Sequence, residues 1–300
     1  MSFRADLRDE FTKRKAGFGD CTPEMMYKSK ECIEYKAAKH NSCSDKVQKL
    51  GLKFGEGAIP VMVYRLVVLI FSLTIFSVFI APSERSFIYY TNWSYTVLIL
   101  YFLLASIVSC IHLPGEIKRC QGRRAKVQVE MVENGKVECN DGAEAKEKEA
   151  QDVKAISWYM KIQWILYNVS LSTSILVTLI YWGVLFAIVA PDTKITFFNV
   201  SVHVINCVFM LIEQYIAGIP SRIAHVYHCV VYAFLYVIFS VIMHFAEGLV
   251  IYPIVLDWSN PGLTTGVVCG LCLFYFVAQF VFFLIYRALI MCVKSKKLMV

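Results

Sequence analysis

The sequence predicts an all-α fold, a polytopic membrane bundle of six transmembrane helices with both termini cytosolic. Three observations carry that prediction. Hydrophobic residues make up 57% of the 300, and the mean hydropathy is +0.55, far above a soluble domain. The apolar residues fall into six blocks, each about the ~20 residues that a hydrocarbon core demands. Lys and Arg are distributed to one side of those blocks.

The blocks lie at 61–80, 92–113, 163–190, 197–217, 226–246 and 263–292. None shows the polar stripe, every third or fourth residue, of a helix half-buried in a soluble core. The third and sixth are long enough to tilt or to project beyond the bilayer. Twelve Lys and Arg precede the first block and ten lie between the second and third, with Arg222 between the fourth and fifth. Lys294, Lys296 and Lys297 follow the sixth, whereas the opposite side carries only Arg85 and Lys194. The net charge of +7 is thus a topology signal, with attraction to anionic lipid second, and it points to no nucleic acid.

The chain divides into a cytosolic tail (1–57), a six-span domain (58–293) and a short basic tail (294–300). The first tail is mixed in charge and lacks the apolar core of a signal peptide. Asp6 to Lys15 has the pattern of a short amphipathic helix, although a mobile tail is the simpler reading. Arg65, near the start of the first span, is placed to snorkel to the cytosolic headgroups. The connection 114–161 is charged, carries Asn-Gly and Asp-Gly turn signals, and reads as solvated or disordered. The sixth span has almost no polar residue and reads as packing and lipid contact.

None of the eleven cysteines falls in the three outer loops, so no structural disulfide is expected. Cys120 and Cys292 sit beside the membrane, where palmitoylation is chemically accessible. Cys269 and Cys272 form a CxxC with no second pair facing it. The sequons at Asn92, Asn168 and Asn199 lie at or within spans, where glycosylation is disfavoured.

The informative span is the fourth. His203 and Glu213 lie inside it, with Asn199 and Asn206 beside the histidine, and ionisable groups at membrane depth default to a functional role. With this topology, Thr91, Asn199, His203, His244, Glu247 and Asp257 all fall at the outer end of the bundle. A polar pocket there is the expectation, with Asn92, Tyr181 and Asn206 as further lining candidates. Glu213 lies ten residues deeper and is expected to pair with Arg222 or with water. Each residue also has a plainer explanation: the histidine bonding another helix, Thr91 bonding its own backbone, Asp257 capping its loop. His203, His244 and Glu247 include metal-ligating types, but no HExxH-like spacing supports a metal, and no cofactor is indicated.

Three motifs together resemble a known family. Tyr-Thr-Asn-Trp at 90–93, HVINCVFMLIE with a histidine ten residues before a glutamate, and H-x-x-x-G-x-x-x-Y-P at 244–253 are similar to the rolling stone membrane proteins. These are related to the androgen-induced and androgen-dependent transmembrane hydrolases. The resemblance covers about residues 61–290. In the hydrolase branch, a Thr and a His cleave fatty acid esters of hydroxy fatty acids, and by motif these correspond to Thr91 and His203. The resemblance therefore implies a threonine nucleophile activated by a histidine base, acting on a lipid or fatty acid ester substrate. Asn92, Asn199, Asn206 or Tyr181 would stabilise the oxyanion. Two departures lean toward the rolling stone branch. Tyr90 precedes the threonine where the hydrolases carry tryptophan, and Val200 stands where they carry a second histidine. That branch implies a non-enzymatic role in cell fusion or development. A transporter ranks third, since few charges line the spans and no repeat is visible.

Overall fold

The computed structural model of the protein describes residues 58–134, 156–189, 192 and 194–298. Helix α1 is Ala58–Ile75, extended by a π-helical turn, Phe76–Ile80. Helix α2 is Tyr90–Asn134, and α3 is Trp158–Ile180, continued in π-helical form through Tyr181–Val189. Helix α4 joins Phe197–Val200, a π-helical turn at Ser201–Ile205, and Asn206–Ile216. Helices α5 (Val226–Glu247) and α6 (Pro261–Leu298) complete the bundle. All six contain a stretch long and apolar enough to cross a membrane, so the chain is an integral multi-pass membrane protein. An even number of crossings returns the chain to the side where it began. That side is called proximal here, and the opposite side distal.

The bundle is built around α3, which packs on α2, α4, α5 and α6. Its Ser170, Ser172, Thr173 and Ser174 are all buried. Small hydroxyl residues allow close approach of neighbouring helices, and two of these hydroxyls bond their own helix backbone. Thr173 Oγ1 donates to Val169 O at 2.8 Å, and Ser174 Oγ donates to Leu171 O at 2.9 Å. Helix α5 ends at Gly248, whose left-handed φ of 65° brings its N–H onto His244 O, a terminus that glycine adopts without strain.

Two expectations from the sequence change at the proximal end. Arg65 does not snorkel: it is fully buried, with Nε and Nη2 donating to Glu213 Oε1 at 2.9 and 2.6 Å. Glu213 accordingly pairs with Arg65 of α1, not with Arg222. Tyr101 Oη donates to the same oxygen at 2.6 Å, and Arg65 Nη1 donates to Ser109 Oγ at 3.0 Å. A full charge inside the bilayer is far cheaper against a countercharge and hydrogen-bond donors than stretched toward water from this depth. Arg222 instead lies over the Trp164 ring, 5.1 Å from its centroid.

The sixth span is also more than lipid contact. Gln279, buried on α6, donates through Nε2 to Asn168 Oδ1 of α3 at 3.1 Å and to Arg222 O at 2.7 Å. The connection after the second span is not wholly irregular, because α2 continues to Asn134. Its GRRAKVQVEMVE run is rich in good helix formers and stops at Asn-Gly. The possible helix at Asp6–Lys15, the remainder of the connection, and the side chains of Cys120 and Cys292 lie outside the described residues.

Removing one partner of the buried ion pair leaves an uncompensated charge, at a cost of about 3–5 kcal/mol. Arg65→Met or Glu213→Leu alone should therefore lower the thermal midpoint of detergent-solubilised protein sharply. The double variant should recover most of the loss. Size-exclusion profiles recorded after heating would check this.

Candidate functional site

The distal half of the bundle encloses a slender cavity of about 90 Å³, several times the ~10–15 Å³ that one water requires. Helices α2, α3, α5 and α6 and the loop after α5 form its walls. They are apolar except for Thr91 and a set of tyrosines at 90, 181, 236, 252 and 275. Phe234 lines the cavity yet is 59% exposed, so the space opens sideways at the lipid-facing surface.

The tyrosine hydroxyls tie the distal elements together. Tyr90 and Tyr275 share a hydroxyl–hydroxyl bond of 2.6 Å. Tyr236 Oη donates to Ile88 O at 2.6 Å, fixing the first distal loop to α5. The Tyr90 amide donates to Tyr252 Oη at 2.9 Å. A phenol from the last loop thus caps the first turn of α2, where a backbone N–H has no helical partner. Tyr252 lies outside the spans, and burial pushes its phenol up to about 12, with hydrogen bonds from Tyr90 and Thr91 opposing that shift. It is neutral at any physiological pH. The same loop closes on itself through Leu256 N–H donating to Tyr252 O at 2.9 Å. Ile254, at its tip, has φ 74°, a conformation that costs a β-branched residue about 1–3 kcal/mol.

His203 and Tyr181 come together closely. Their rings stack with centroids 3.5 Å apart and planes 7° from parallel. Each residue sits in a π-helical segment, Tyr181 on α3 and His203 on α4. Such segments rotate side chains away from their α-helical positions and recur at functional sites. His203 is 7% exposed, and its Nδ1 has no hydrogen-bond partner. Tyr181 lines the cavity and the histidine lies against it, so one ring separates His203 from the space that Thr91 borders. Thr91 and His203 do not hydrogen-bond to one another.

The other candidates take separate places. Asn92 is buried, and its Nδ2 donates to Ser86 O at 2.7 Å, so it anchors the first loop. The Asn199 amide donates to Thr196 Oγ1 at 3.2 Å, part of the α4 N-terminal cap. Asn206 Oδ1 accepts from the Cys207 amide at 2.6 Å. His244 lies near the end of α5 against Phe245, and Glu247 borders a second, open cleft. Asp257 Oδ1 accepts from the Ser259 amide at 3.0 Å, and its backbone oxygen accepts from Thr264 Oγ1 at 2.6 Å. Of the nine candidates, the structure gathers Thr91, Tyr181 and His203 around one cavity. Tyr236 and Tyr275 were not singled out from the sequence, because a lone tyrosine in an apolar span carries no pattern.

Tyr252→Phe removes the acceptor for the Tyr90 amide and should cost about 1 kcal/mol, as other helix-cap losses do. Ile254→Gly relieves the left-handed strain and should raise stability, against the ~1 kcal/mol that glycine gives up in the unfolded chain. Thermal midpoints of the two variants in detergent, moving in opposite directions, would check both.

Comparison with known proteins agrees with this architecture. The family described as Protein rolling stone matches residues 53–300. The Drosophila melanogaster protein rolling stone is 27% identical over 214 residues, covering 69% of this chain. The match spans 65% of that relative's length. No solved structure matches. With most of its length matched, the chain belongs to the rolling stone family.

Proposed function

We propose that this rolling stone-like membrane protein takes a short stretch of a lipid acyl chain into its distal cavity and acts without cleaving it. The observation that carries the reading is the sideways opening of an apolar, tyrosine-walled space at Phe234. A water-soluble ligand would need polar groups along the walls; an acyl chain needs none, and it can enter from the bilayer. The hydroxyls at Thr91 and Tyr252 give the cavity a polar end for an ester or carboxyl group. The motifs that resemble the rolling stone branch agree with this reading, since that resemblance implies a non-enzymatic role in cell fusion or development.

A second reading is lipid ester hydrolysis, and His203 favours it. A buried imidazole nitrogen with no partner is a base without a structural task. In that reaction Thr91 Oγ attacks the ester carbonyl, and His203 takes the hydroxyl proton and returns it to the leaving alkoxide. Water then releases the acyl group from the threonine. The step requires the Tyr181 ring to swing aside, bringing imidazole and hydroxyl within about 3 Å.

Two labels applied to membranes separate the readings. A diazirine-bearing fatty acyl probe should crosslink to residues 176–185 of α3 and 230–237 of α5, mapped by peptide mass spectrometry. A fluorophosphonate should label the wild type no more than Thr91→Ala or His203→Ala. Fluorophosphonate labelling present in the wild type, and absent from both variants at equal expression, would establish the hydrolase. Absence of acyl crosslinks in this region would remove the lipid reading itself.

A further inference from the structure

We infer that the open cleft beside Glu247 is a second lipid site, one that receives the zwitterionic headgroup of a bilayer phospholipid. It goes beyond the acyl cavity. The two spaces are divided by Tyr236, which lines the cavity, and Ile88, which lines the cleft and accepts the Tyr236 hydroxyl.

The cleft encloses about 450 Å³ between the first distal loop and the end of α5. Its charged rim is Glu84, Arg85 and Glu247, and its floor includes Trp93 and Phe239. Helix α1 with its π turn ends at Ile80, and α5 ends at Glu247, so the rim lies just where two spans leave the apolar layer. Phospholipid headgroups occupy that level. All three charged side chains are exposed, and none makes an ion pair or a hydrogen bond with another described residue. Arg85 is adjacent in sequence to Glu84, yet neither neutralises the other. Trp93 is held in place, with Nε1 donating to Phe87 O at 2.7 Å and its ring 5.2 Å from that of Phe239.

The complementarity runs group by group. A guanidinium presents a planar fork that suits phosphate oxygens. Two carboxylates beside aromatic rings suit an ammonium group, through charge and through attraction to the ring faces. A headgroup carrying both charges answers all three rim residues and leaves the acyl chains in the bilayer. An anionic headgroup meets one cation and two anions, a net repulsion. A free metal cation would leave Arg85 unanswered and the aromatic floor unused.

The test uses the full chain, solubilised in a non-ionic detergent and offered an equal mixture of phosphatidylcholine and phosphatidylglycerol with matched chains. Native mass spectrometry reads the lipids retained. The wild type should retain phosphatidylcholine preferentially. Exposed ion-pair and cation–π contacts are each worth less than a tenfold change, so Glu84→Gln with Glu247→Gln should lower that retention roughly tenfold and abolish the preference. Arg85→Gln should lower retention of phosphatidylcholine as well. Equal retention of the two lipids by the wild type would overturn the inference, and needs no variant to be folded. A preference unchanged in the double carboxylate variant would overturn it too. Acyl crosslinking in the distal cavity is read separately, so a wild type without headgroup selectivity but with crosslinking intact would refute this site alone.

Discussion

An arginine and a glutamate, both withdrawn from solvent, hold α1 against α4 near the proximal end. Neither could remain charged in the apolar layer alone, so each fixes the depth and rotation of the helix bearing the other. Tyr101 and Ser109 bring α2 into the same cluster through their hydroxyls. At the next residue after Glu213, Gln214 accepts hydrogen bonds from Tyr167 of α3 and Ser221 of the following loop, and donates to Phe282 O of α6. Five of the six helices are thereby joined by polar contacts within a short distance along α4. In lipid, where burial of apolar surface drives helices together only weakly, such contacts decide which faces meet.

The distal half is held differently. Its ties are tyrosine hydroxyls, anchored in apolar packing and making directional bonds. Neutral phenols carry no ionic desolvation cost, and they leave room for a cavity where a salt bridge would demand tight packing around it. The rigid end and the hollow end meet on α4, which carries Glu213 at one level and His203 at the other. The π-helical turn at Ser201–Ile205 carries the histidine itself, and the α-helix that follows carries Glu213. The turn lets the histidine face Tyr181 while the lower part of the helix keeps the rotation that Glu213 needs.

Six spans were legible because length and hydropathy are properties of a segment, and the bilayer imposes both. His203 was legible because a lone imidazole in an apolar run stands out by cost alone. Partner choice was not. Glu213 has Arg222 nine residues away in sequence, but the helix ends at Ile216 and the chain turns, and the partner comes from α1. Depth brought Thr91, His203, His244, Glu247 and Asp257 to one end of the bundle, and depth is all that a sequence ordered by spans can supply. Azimuth separates them: Thr91 faces the cavity, His203 lies behind Tyr181, Glu247 looks onto the cleft, and Asp257 turns back on its own loop. The π-helical segments that carry Tyr181 and His203 have no compositional signature. Gln279 was overlooked for a related reason, since one amide hardly changes the mean hydropathy of a span.

Helix α2 begins at Tyr90, which lines the cavity, and does not stop at the membrane. Its 45 residues at ~1.5 Å each make a rod about 68 Å long, more than twice the ~30 Å of hydrocarbon it has to cross. Pro114 is the one place along it where an internal hydrogen bond is missing, close to where the apolar stretch ends at Gly115. Mechanically, the membrane half and the proximal stalk form a single lever with one softened joint. A sideways force on the stalk is borne first at that joint, and an axial twist passes through it to the backbone that carries Thr91.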